Sequence, residues 1–332
     1  HGGVEEHENR WYDKHQIIVS ADGHLAFNLE HSFSDGMSWS SWIGEVYCDL
    51  AGKQEGLNCA ALPSVAEASP LDKKEVKKLV TPITLEFGKS TANKIREARE
   101  AIKAHAANVN LVPIELGGLG KSQLKKLGLS PDAFMQIAFH LAYYNMHQRV
   151  APTYESCSTA GFFHGRTETI RTGSRAMSEF LHDAEKGTLS KHLAMAAAKQ
   201  HVSLSKEAQV GQGVDRHLLA LNKIAEREGD KVALEFFNDK LYKYSNTWLL
   251  STSNVSQPFV EWFNFGPVAE NGYGIGYTID QKDTRLVVSN FENSEATDAK
   301  KLSLELNDAV AKLQKLFSGE EVEITKDNDD EE

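Results

Sequence analysis

The stretch Phe27-Asn28-Leu29-Glu30-His31-Ser32-Phe33-Ser34-Asp35-Gly36 decides how the rest of the chain is interpreted. Its first residues complete a run from Leu25 to Leu29 in which every second residue is strongly apolar, a pattern typical of a β-strand. Strand side chains repeat every two residues, so His31 is predicted to continue the buried row, just before a turn. An imidazole at this junction suits either a general base in a cleft or a hydrogen-bonded core histidine. The stretch alone leaves both interpretations open.

The residues on either side of this stretch predict a hairpin and a helix. Ile17-Ile18-Val19 is a short apolar strand, and Asp22-Gly23 is a hairpin-turn signal between it and the strand at Leu25. The histidine therefore follows the second arm of the predicted hairpin. After Gly36 an amphipathic helix is predicted from apolar residues at helical spacing, namely Trp39, Trp42, Ile43 and Val46.

Length, charge and composition exclude several classes of protein. The chain has 332 residues and a net charge of −11, so a nucleic-acid partner is not expected. Apolar runs fall short of the roughly 18 residues of a membrane-spanning helix. The three cysteines are odd in number and widely spaced in the sequence, so they predict neither a disulfide framework nor a zinc site. The acid-rich segment 321–332 predicts a solvated tail.

A glycine-rich segment from Glu115 to Ser122 is similar to a phosphate-binding loop but departs from its pattern. The pattern G-x-x-x-x-G-K-[ST] requires glycine where this chain has Glu115, and a carboxylate there would repel phosphate. We therefore reject a nucleoside triphosphatase. Lys121, Lys125 and Lys126 form a basic cluster in an acidic chain, which suits either a solvated face or a phosphate contact.

A helix is predicted to begin at Ser130-Pro131-Asp132. These residues supply a cap, a proline at the first helical position and an acid near the positive end of the helix dipole. The apolar residues that follow at helical spacing predict one buried face, formed by Phe134, Ile137, Leu141 and Tyr144.

Polar side chains line one face of another predicted strand. Thr167, Thr169 and Arg171 alternate along it, so two hydroxyls and a guanidinium lie in a row. Such a row forms either a binding surface or the exposed face of an edge strand. A further strand ends in the three hydroxyl residues Ser251-Thr252-Ser253.

The helix predicted to begin near Asp215 carries an arginine in its first turn. The charge of Arg216 opposes the helix dipole, so it needs an anion, which is either a structural carboxylate or a ligand. Three apolar residues of this helix, Leu218, Leu221 and Ile224, are predicted to pack inward.

Seven segments in order resemble the markers of the carnitine/choline acyltransferase family. The resemblance runs from Asn9 to about Phe317. The segments are Asn9-Arg10-Trp11-Tyr12-Asp13-Lys14, Glu30-His31-Ser32 with Asp35-Gly36, Leu129-Ser130-Pro131-Asp132-Ala133, Thr153-Tyr154-Glu155-Ser156, Gly165-Arg166-Thr167-Glu168-Thr169, Asp215-Arg216-His217-Leu218 and Ser251-Thr252-Ser253.

The resemblance implies an α/β fold of the two-lobe, CoA-dependent acyltransferase type, similar to chloramphenicol acetyltransferase, with mixed sheets covered by helices. It also implies that the chain corresponds to the C-terminal half of a family member and that the N-terminal half is missing. Residues 1–87 would be part of the lobe with the catalytic histidine, and 88–320 would be the lobe with the carnitine- and CoA-binding residues. Residues 321–332 would be the acidic tail.

The reaction that the resemblance implies is reversible acyl transfer between CoA and the hydroxyl of carnitine. His31 matches the catalytic base, and Ser253 matches the hydroxyl that stabilises the oxyanion. Asp35 matches a carboxylate close to the base. CoA and acyl-CoA are then substrates, and neither a cofactor nor a metal is expected.

Binding residues are carried over position by position. Tyr154, Thr167 and Arg216 match the residues that surround the carboxylate of carnitine, and Thr169 completes the Thr-x-Thr pattern that family members using choline do not keep. The CoA contacts would be Lys121 and Lys125 with the CoA phosphate, and Asp132 near the CoA.

Phe263 departs from the pattern of long-chain family members, which carry glycine where the acyl pocket opens. A phenyl ring would fill that pocket, so an acetyl-preferring enzyme is the alternative, and a non-catalytic CoA-binding relative is another. By resemblance we expect a monomer on the matrix side of the mitochondrial inner membrane that associates with membranes only peripherally.

Overall fold

The protein is described here by a computed structural model, which covers residue 11 and residues 13–51 and 84–319. The chain forms two compact units, His1–Asn108 and Val109–Glu332. The proposed division into 1–87 and 88–320 stays a prediction, and the tail 321–332 lies outside the described residues.

In its described residues, the first unit contains a two-stranded hairpin and two helices. Its elements are β1 (Gln16–Val19), β2 (Leu25–Asn28), α1 (Gly36–Ala51) and α2 (Lys89–Ala107). β1 and β2 pair antiparallel, with Val19 opposite Leu25, and Gly23 adopts φ +90° in the connecting turn. The hairpin and the helix after Gly36 therefore confirm the sequence prediction, because the Asp22-Gly23 turn chemistry is strictly local.

The predicted buried row in front of His31 is wrong. Leu25 is 56% exposed, and the side chain of His31 is 71% exposed. The strand ends at Asn28, and residues 31–33 form a turn. Because the two-residue alternation applies only within a strand, it does not determine which way His31 points.

The second unit is built on a six-stranded mixed sheet. Its strands are β3 (Val109–Leu116), β4 (Thr153–Ser158), β5 (Thr167–Ile170), β6 (Leu250–Asn254), β7 (Tyr273–Ile279) and β8 (Thr284–Phe291). Their order is β3-β8-β7-β6-β4-β5. β6 pairs parallel with both β4 and β7, and the remaining pairs are antiparallel. The α/β fold with a mixed sheet and helical cover is confirmed.

The helices of this unit are α3 (Lys121–Lys126), α4 (Pro131–His147), α5 (Arg175–Glu185), α6 (Lys191–Gln209), α7 (Asp215–Glu228), α8 (Lys231–Asn238), α9 (Lys240–Ser245) and α10 (Ala299–Ser318). α4 is buried from Ala133 to Tyr144 and packs against α10, which also contacts β3 and β8. The Ser130 hydroxyl accepts the backbone N–H of Ala133 at 3.4 Å, so the predicted start of α4 is confirmed. No helix in the described ranges is long and apolar enough to cross a membrane.

The predicted inward face of α7 is wrong at two of its three positions. Leu221 and Ile224 are 41% and 47% exposed, whereas Ala225 and Asp215 are buried. α7 packs against β5 and α8, and this contact surface is narrower than the apolar stripe in the sequence. Helical periodicity shows which residues share a face, but it does not show whether a neighbour covers that face.

Candidate active site

The turn that carries the candidate base is held by Glu30. Its carboxylate accepts the backbone N–H groups of Ser32 at 2.8 Å and Phe33 at 3.1 Å. Hydrogen bonds from the side chain and backbone of Ser32 lower the pKa of Glu30 to about 2. Glu30 is therefore ionised at neutral pH, and it fixes the backbone directly beside His31.

Asp35 lies next to the imidazole in the same unit. Its Oδ1 is 3.8 Å from His31 Nε2, and its Oδ2 accepts the backbone N–H of Met37 at 3.0 Å at the start of α1. The helix end thus orients this carboxylate beside the imidazole. The role of Asp35 as a partner of the base stays a prediction.

The second unit gathers four of the predicted site residues on one sheet face. Tyr154 on β4 lies opposite Ser251 on β6, and Ser156 lies opposite Thr169 on β5. Two-residue alternation then places Tyr154, Ser253, Thr167 and Thr169 on the same face of three neighbouring strands. Residues distant in the sequence are therefore neighbours across the strands.

Three hydroxyl groups on this face lie on three adjacent strands. Ser253 Oγ is 3.1 Å from Ser156 Oγ, and Ser156 pairs across the strands with Thr169. The Thr169 hydroxyl is buried and has no hydrogen-bond partner among the described residues. Ser156 was not predicted as a site residue, although its place two residues after Tyr154 puts it on the same strand face.

Arg216 on α7 reaches β5, one of these strands. Its Nε donates to the backbone oxygen of Thr167 at 2.9 Å, and its Nη2 donates to the Thr167 hydroxyl at 3.0 Å. In the part of the chain that the structure describes, its guanidinium forms no ion pair with a carboxylate. A carboxylate does lie near its backbone, because Glu168 Oε1 and Oε2 are 3.3 Å from Arg216 N. A ligand anion for the guanidinium stays a prediction.

A cavity of about 460 Å³ lies beside this arginine, in the size range of small-molecule sites. Arg216, Tyr242 and Trp248 are among its lining residues. The Trp248 ring also stacks on the Arg171 guanidinium at 4.7 Å and lies 5.6 Å from the Tyr154 ring. Arg171 itself is engaged, because its guanidinium forms two bonds, at 2.6 and 2.9 Å, with Asp215.

The other face of the sheet carries a buried polar network around Asp132. Its carboxylate accepts from Tyr277 OH at 2.6 Å and Asn254 Nδ2 at 3.0 Å, and it lies 2.8 Å from His201 Nε2. Burial opposes ionisation, but the bonds from His201, Tyr277 and Asn254 outweigh it and lower the pKa of Asp132. Asn254 directly follows Ser253, so the network anchors the end of β6. The predicted contact of Asp132 with CoA stays a prediction.

Glu155 completes this network in its protonated form. Burial and the neighbouring Asp132 charge raise the pKa of Glu155 well above its ordinary value. Ligand atoms of Asp132, Glu155 and His201 lie within 4.8 Å of one another, so this cluster could hold a cation. The direct His201–Asp132 contact and the raised pKa of Glu155 instead describe a hydrogen-bonded pair beside a neutral acid.

We expect Glu155→Gln to stabilise the protein at alkaline pH and to leave it unchanged in acid. Below about pH 4.5, folded and unfolded chains both hold the proton. Above it, the unfolded chain releases the proton that the folded protein retains, so stability falls as the pH rises toward the folded-state pKa. Glutamine has no such proton, and the Tm at pH 8 should rise by about 2–4 °C. Thermal unfolding at pH 4 and pH 8 measures the difference.

Glu179→Gln is the matched control, since Glu179 is exposed and pairs with the exposed Arg175 at 2.9 Å. Its effect on Tm should be small at both pH values. If the Tm of Glu155→Gln shifts equally at pH 4 and pH 8, the substitution changes packing, and the explanation by proton release from the unfolded chain is wrong.

The predicted CoA lysines lie on α3. Lys121 and Lys125 are one helical turn apart, so their side chains share a face of α3. The helix is docked on the turn between β7 and β8, because Lys121 N donates to Asp280 O at 2.7 Å. Gly120 allows this approach, since a Cβ there would lie 2.5 Å from the backbone nitrogen of Lys282. The contact of Lys121 and Lys125 with CoA stays a prediction.

Phe263 lies in the segment that crosses β7. A Cβ on Gly276 would lie 2.5 Å from the Phe263 backbone oxygen, so glycine permits this close crossing. The half-buried Phe263 ring lies 5.8 Å from the Phe265 ring. The position of Phe263 is thus fixed by its backbone and a neighbouring ring, and its place in an acyl pocket stays a prediction.

Known proteins resemble this chain over most of its length. It is 36% identical over 299 residues to "Carnitine O-palmitoyltransferase 2, mitochondrial" of Rattus norvegicus, covering 87% of this chain and 44% of that protein. It is 30% identical over 317 residues to "Carnitine O-acetyltransferase, mitochondrial" of Saccharomyces cerevisiae, covering 92% and 45%. The chain thus spans less than half the length of these curated relatives.

Among solved structures, the epimerization domain from the third module of tyrocidine synthetase B aligns with a TM-score of 0.42 at 12% identity, over 91% of this chain and 71% of that one. The sequence profile of the Choline/Carnitine o-acyltransferase family matches residues 1–308, which include the His31 turn, the hydroxyl row and Arg216. The chain therefore belongs to the choline/carnitine O-acyltransferase family.

Proposed function

We propose that this chain carries the acceptor site of a carnitine O-acyltransferase, which moves a fatty acyl group reversibly between CoA and the carnitine hydroxyl. The observation that carries the proposal is the contact of Arg216 with Thr167 of β5, on the hydroxyl face that β5 shares with β4 and β6. A guanidinium that lacks an ion pair with a carboxylate in the described residues, and that contacts one hydroxyl of this face, suits a small acceptor with its own carboxylate.

In the forward reaction, His31 takes the proton from the carnitine hydroxyl as general base. The oxygen then attacks the thioester carbonyl of acyl-CoA, the tetrahedral oxyanion collapses, and the CoA thiolate leaves with the proton that His31 returns. Ser253 donates a hydrogen bond to the oxyanion. The Ser156 hydroxyl, 3.1 Å from Ser253 Oγ, supports this role if it donates to Ser253, because the Ser253 hydrogen then points to the substrate.

The acceptor is held by charge and by hydroxyl groups. Arg216 supplies the charge-assisted contact with the carnitine carboxylate, and Tyr154 and Thr167 supply further donors. The buried hydroxyl of Thr169, which has no hydrogen-bond partner in the described ranges, supports a polar ligand on this face, since an unsatisfied buried hydroxyl is unfavourable. Lys121 and Lys125 contact the CoA phosphate in this proposal, Asp132 lies near the CoA, and no metal or further cofactor takes part.

We also propose a mitochondrial location, as printed for the curated relatives.

The proposal is tested by the release of CoA thiol from palmitoyl-CoA by the purified protein, with and without carnitine. Release that depends on carnitine supports the proposal. Choline outcompeting carnitine would instead indicate a choline-using enzyme. Binding of CoA with no transfer to either acceptor would indicate a non-catalytic relative.

Phe263 supports a second candidate, an acetyl-preferring enzyme. We expect Phe263→Gly to raise the ratio of kcat/KM for palmitoyl-CoA to that for acetyl-CoA by about tenfold or more, because removing the ring opens room for apolar chain atoms. Acetyl-, octanoyl- and palmitoyl-CoA are compared with one preparation. Phe163→Gly is the control, as Phe163 is 92% exposed. An unchanged chain-length profile in Phe263→Gly would discard the pocket role of Phe263.

A further inference from the structure

Glu168 ties a strand to a helix between two proposed carnitine contacts, Thr167 and Thr169. The residue is only 4% exposed. Its Oε1 accepts the backbone N–H of Thr169 at 2.7 Å, and both carboxylate oxygens lie 3.3 Å from the backbone nitrogen of Arg216. One buried carboxylate therefore joins β5 to the first turn of α7.

This carboxylate replaces a cap that α7 lacks. The N-cap position is Val214, which has no side-chain oxygen and makes no capping hydrogen bond. The first backbone N–H groups of a helix need an acceptor, and a negative charge there is favoured by the helix dipole. Glu168 on β5 supplies both the acceptor and the negative charge, and it does so at the backbone N–H of Arg216.

Gly213 makes room for Glu168. A Cβ at Gly213 would lie 2.5 Å from Glu168 Cδ and 2.8 Å from its Oε2, distances that real Cβ atoms do not show. The carboxylate is thus seated directly against the glycine backbone, one residue before the helix cap. Any larger residue at 213 would push Glu168 away from α7.

We propose that Glu168, seated against Gly213, is a positioning residue that sets Arg216 for an acceptor bearing a carboxylate; this inference rests on the proposed function. Glu168 holds the Arg216 backbone, and Thr167 holds its guanidinium through Nε at 2.9 Å and Nη2 at 3.0 Å. Two consecutive residues of β5, Thr167 and Glu168, thereby fix the guanidinium and the backbone of Arg216. Acceptor specificity in this family member depends on that alignment as well as on the guanidinium charge.

Glu168 is not the main anchor of α7, so its removal can be tested without loss of the fold. Arg171 binds Asp215 at the start of α7 with two bonds of 2.6 and 2.9 Å and donates to the Ser245 backbone oxygen at 2.7 Å. These contacts keep the helix docked on β5. Without Glu168, the first turn is expected to move while the helix remains in place.

The experiment measures steady-state kinetics with carnitine and palmitoyl-CoA for Glu168→Gln and Glu168→Ala. We expect the carnitine KM to rise by about tenfold in Glu168→Ala and by less in Glu168→Gln, which keeps an oxygen acceptor but loses the charge. The palmitoyl-CoA KM and the Tm should change little. Gly213→Ala should reproduce the effect with Glu168 intact, whereas Gly161→Ala, whose Cβ meets nothing within 4 Å, should behave as wild type.

A double-mutant cycle with Arg216→Asn separates positioning from general structural damage. If Glu168 acts through Arg216, Glu168→Ala adds nothing to the carnitine KM of Arg216→Asn. Additive effects, a parallel rise of both KM values, or an unchanged carnitine KM in Glu168→Ala would each overturn the inference. If Arg216→Asn itself leaves the carnitine KM unchanged, it is the proposed acceptor site that fails.

Discussion

Replacement of His31 by alanine is expected to lower carnitine-dependent CoA release from palmitoyl-CoA by about 10²–10⁴-fold. In the proposed reaction no other group takes the proton from the carnitine hydroxyl, so the loss falls on kcat. The KM values for both substrates should change little, because the binding contacts come from other residues. Initial rates by thiol detection, with both substrates varied, measure the split.

His24→Ala is the matched control for this prediction. His24 lies in the same unit, its side chain is 78% exposed, and it pairs with Asp22 at 3.0 Å in the hairpin turn. It should retain wild-type kinetics. If His31→Ala keeps more than about a tenth of wild-type kcat, another group is the base and the role of His31 is wrong.

Elements marked by local chemistry were predictable from the sequence. The Asp22-Gly23 turn and the Ser130 cap each depend on residues within a few positions, and both have the predicted structure. The alternation of Thr167 and Thr169 similarly showed which side chains share a strand face. The strand order β3-β8-β7-β6-β4-β5 was not predictable, since it depends on contacts between distant segments.

Burial was predicted less well than periodicity. The predicted burial of the row in front of His31 is wrong because β2 ends at Asn28. The predicted burial of Leu221 and Ile224 is wrong because their helix face is only partly covered. In both cases the pattern gave the correct local element. Exposure depends on whether a neighbour covers that element, which a pattern within one segment cannot show.

The residues that support the site were missed for the same reason. Ser156 and Glu168 both lie inside recognised segments, yet their partners Ser253 and Arg216 are far away in the sequence. His201 showed no signal at all, since a histidine in a helix has many possible roles. Motifs in the sequence thus predicted the residues that are candidates to bind a ligand. The residues that orient those side chains were found only in the structure.

Arg216→Asn is expected to raise the carnitine KM by roughly 10–100-fold, because a charge-assisted contact contributes about 1.5–3 kcal/mol. The palmitoyl-CoA KM should stay near that of wild type. Choline has no carboxylate, so its use as acceptor should not worsen, and the preference for carnitine over choline should narrow by a similar factor. The carnitine KM of Arg216→Lys should lie between those of wild type and Arg216→Asn. Lysine keeps the charge but not the planar guanidinium, which contacts Thr167 at two atoms.

Arg175→Asn is the control that separates this effect from the loss of any arginine in the first turn of a helix. Arg175 opens α5 and pairs with Glu179 at 2.9 Å on the surface. Its replacement should leave both KM values and the acceptor preference unchanged. Should Arg216→Asn lower kcat with an unaltered carnitine KM, the guanidinium would act on the reaction centre and not on the carboxylate.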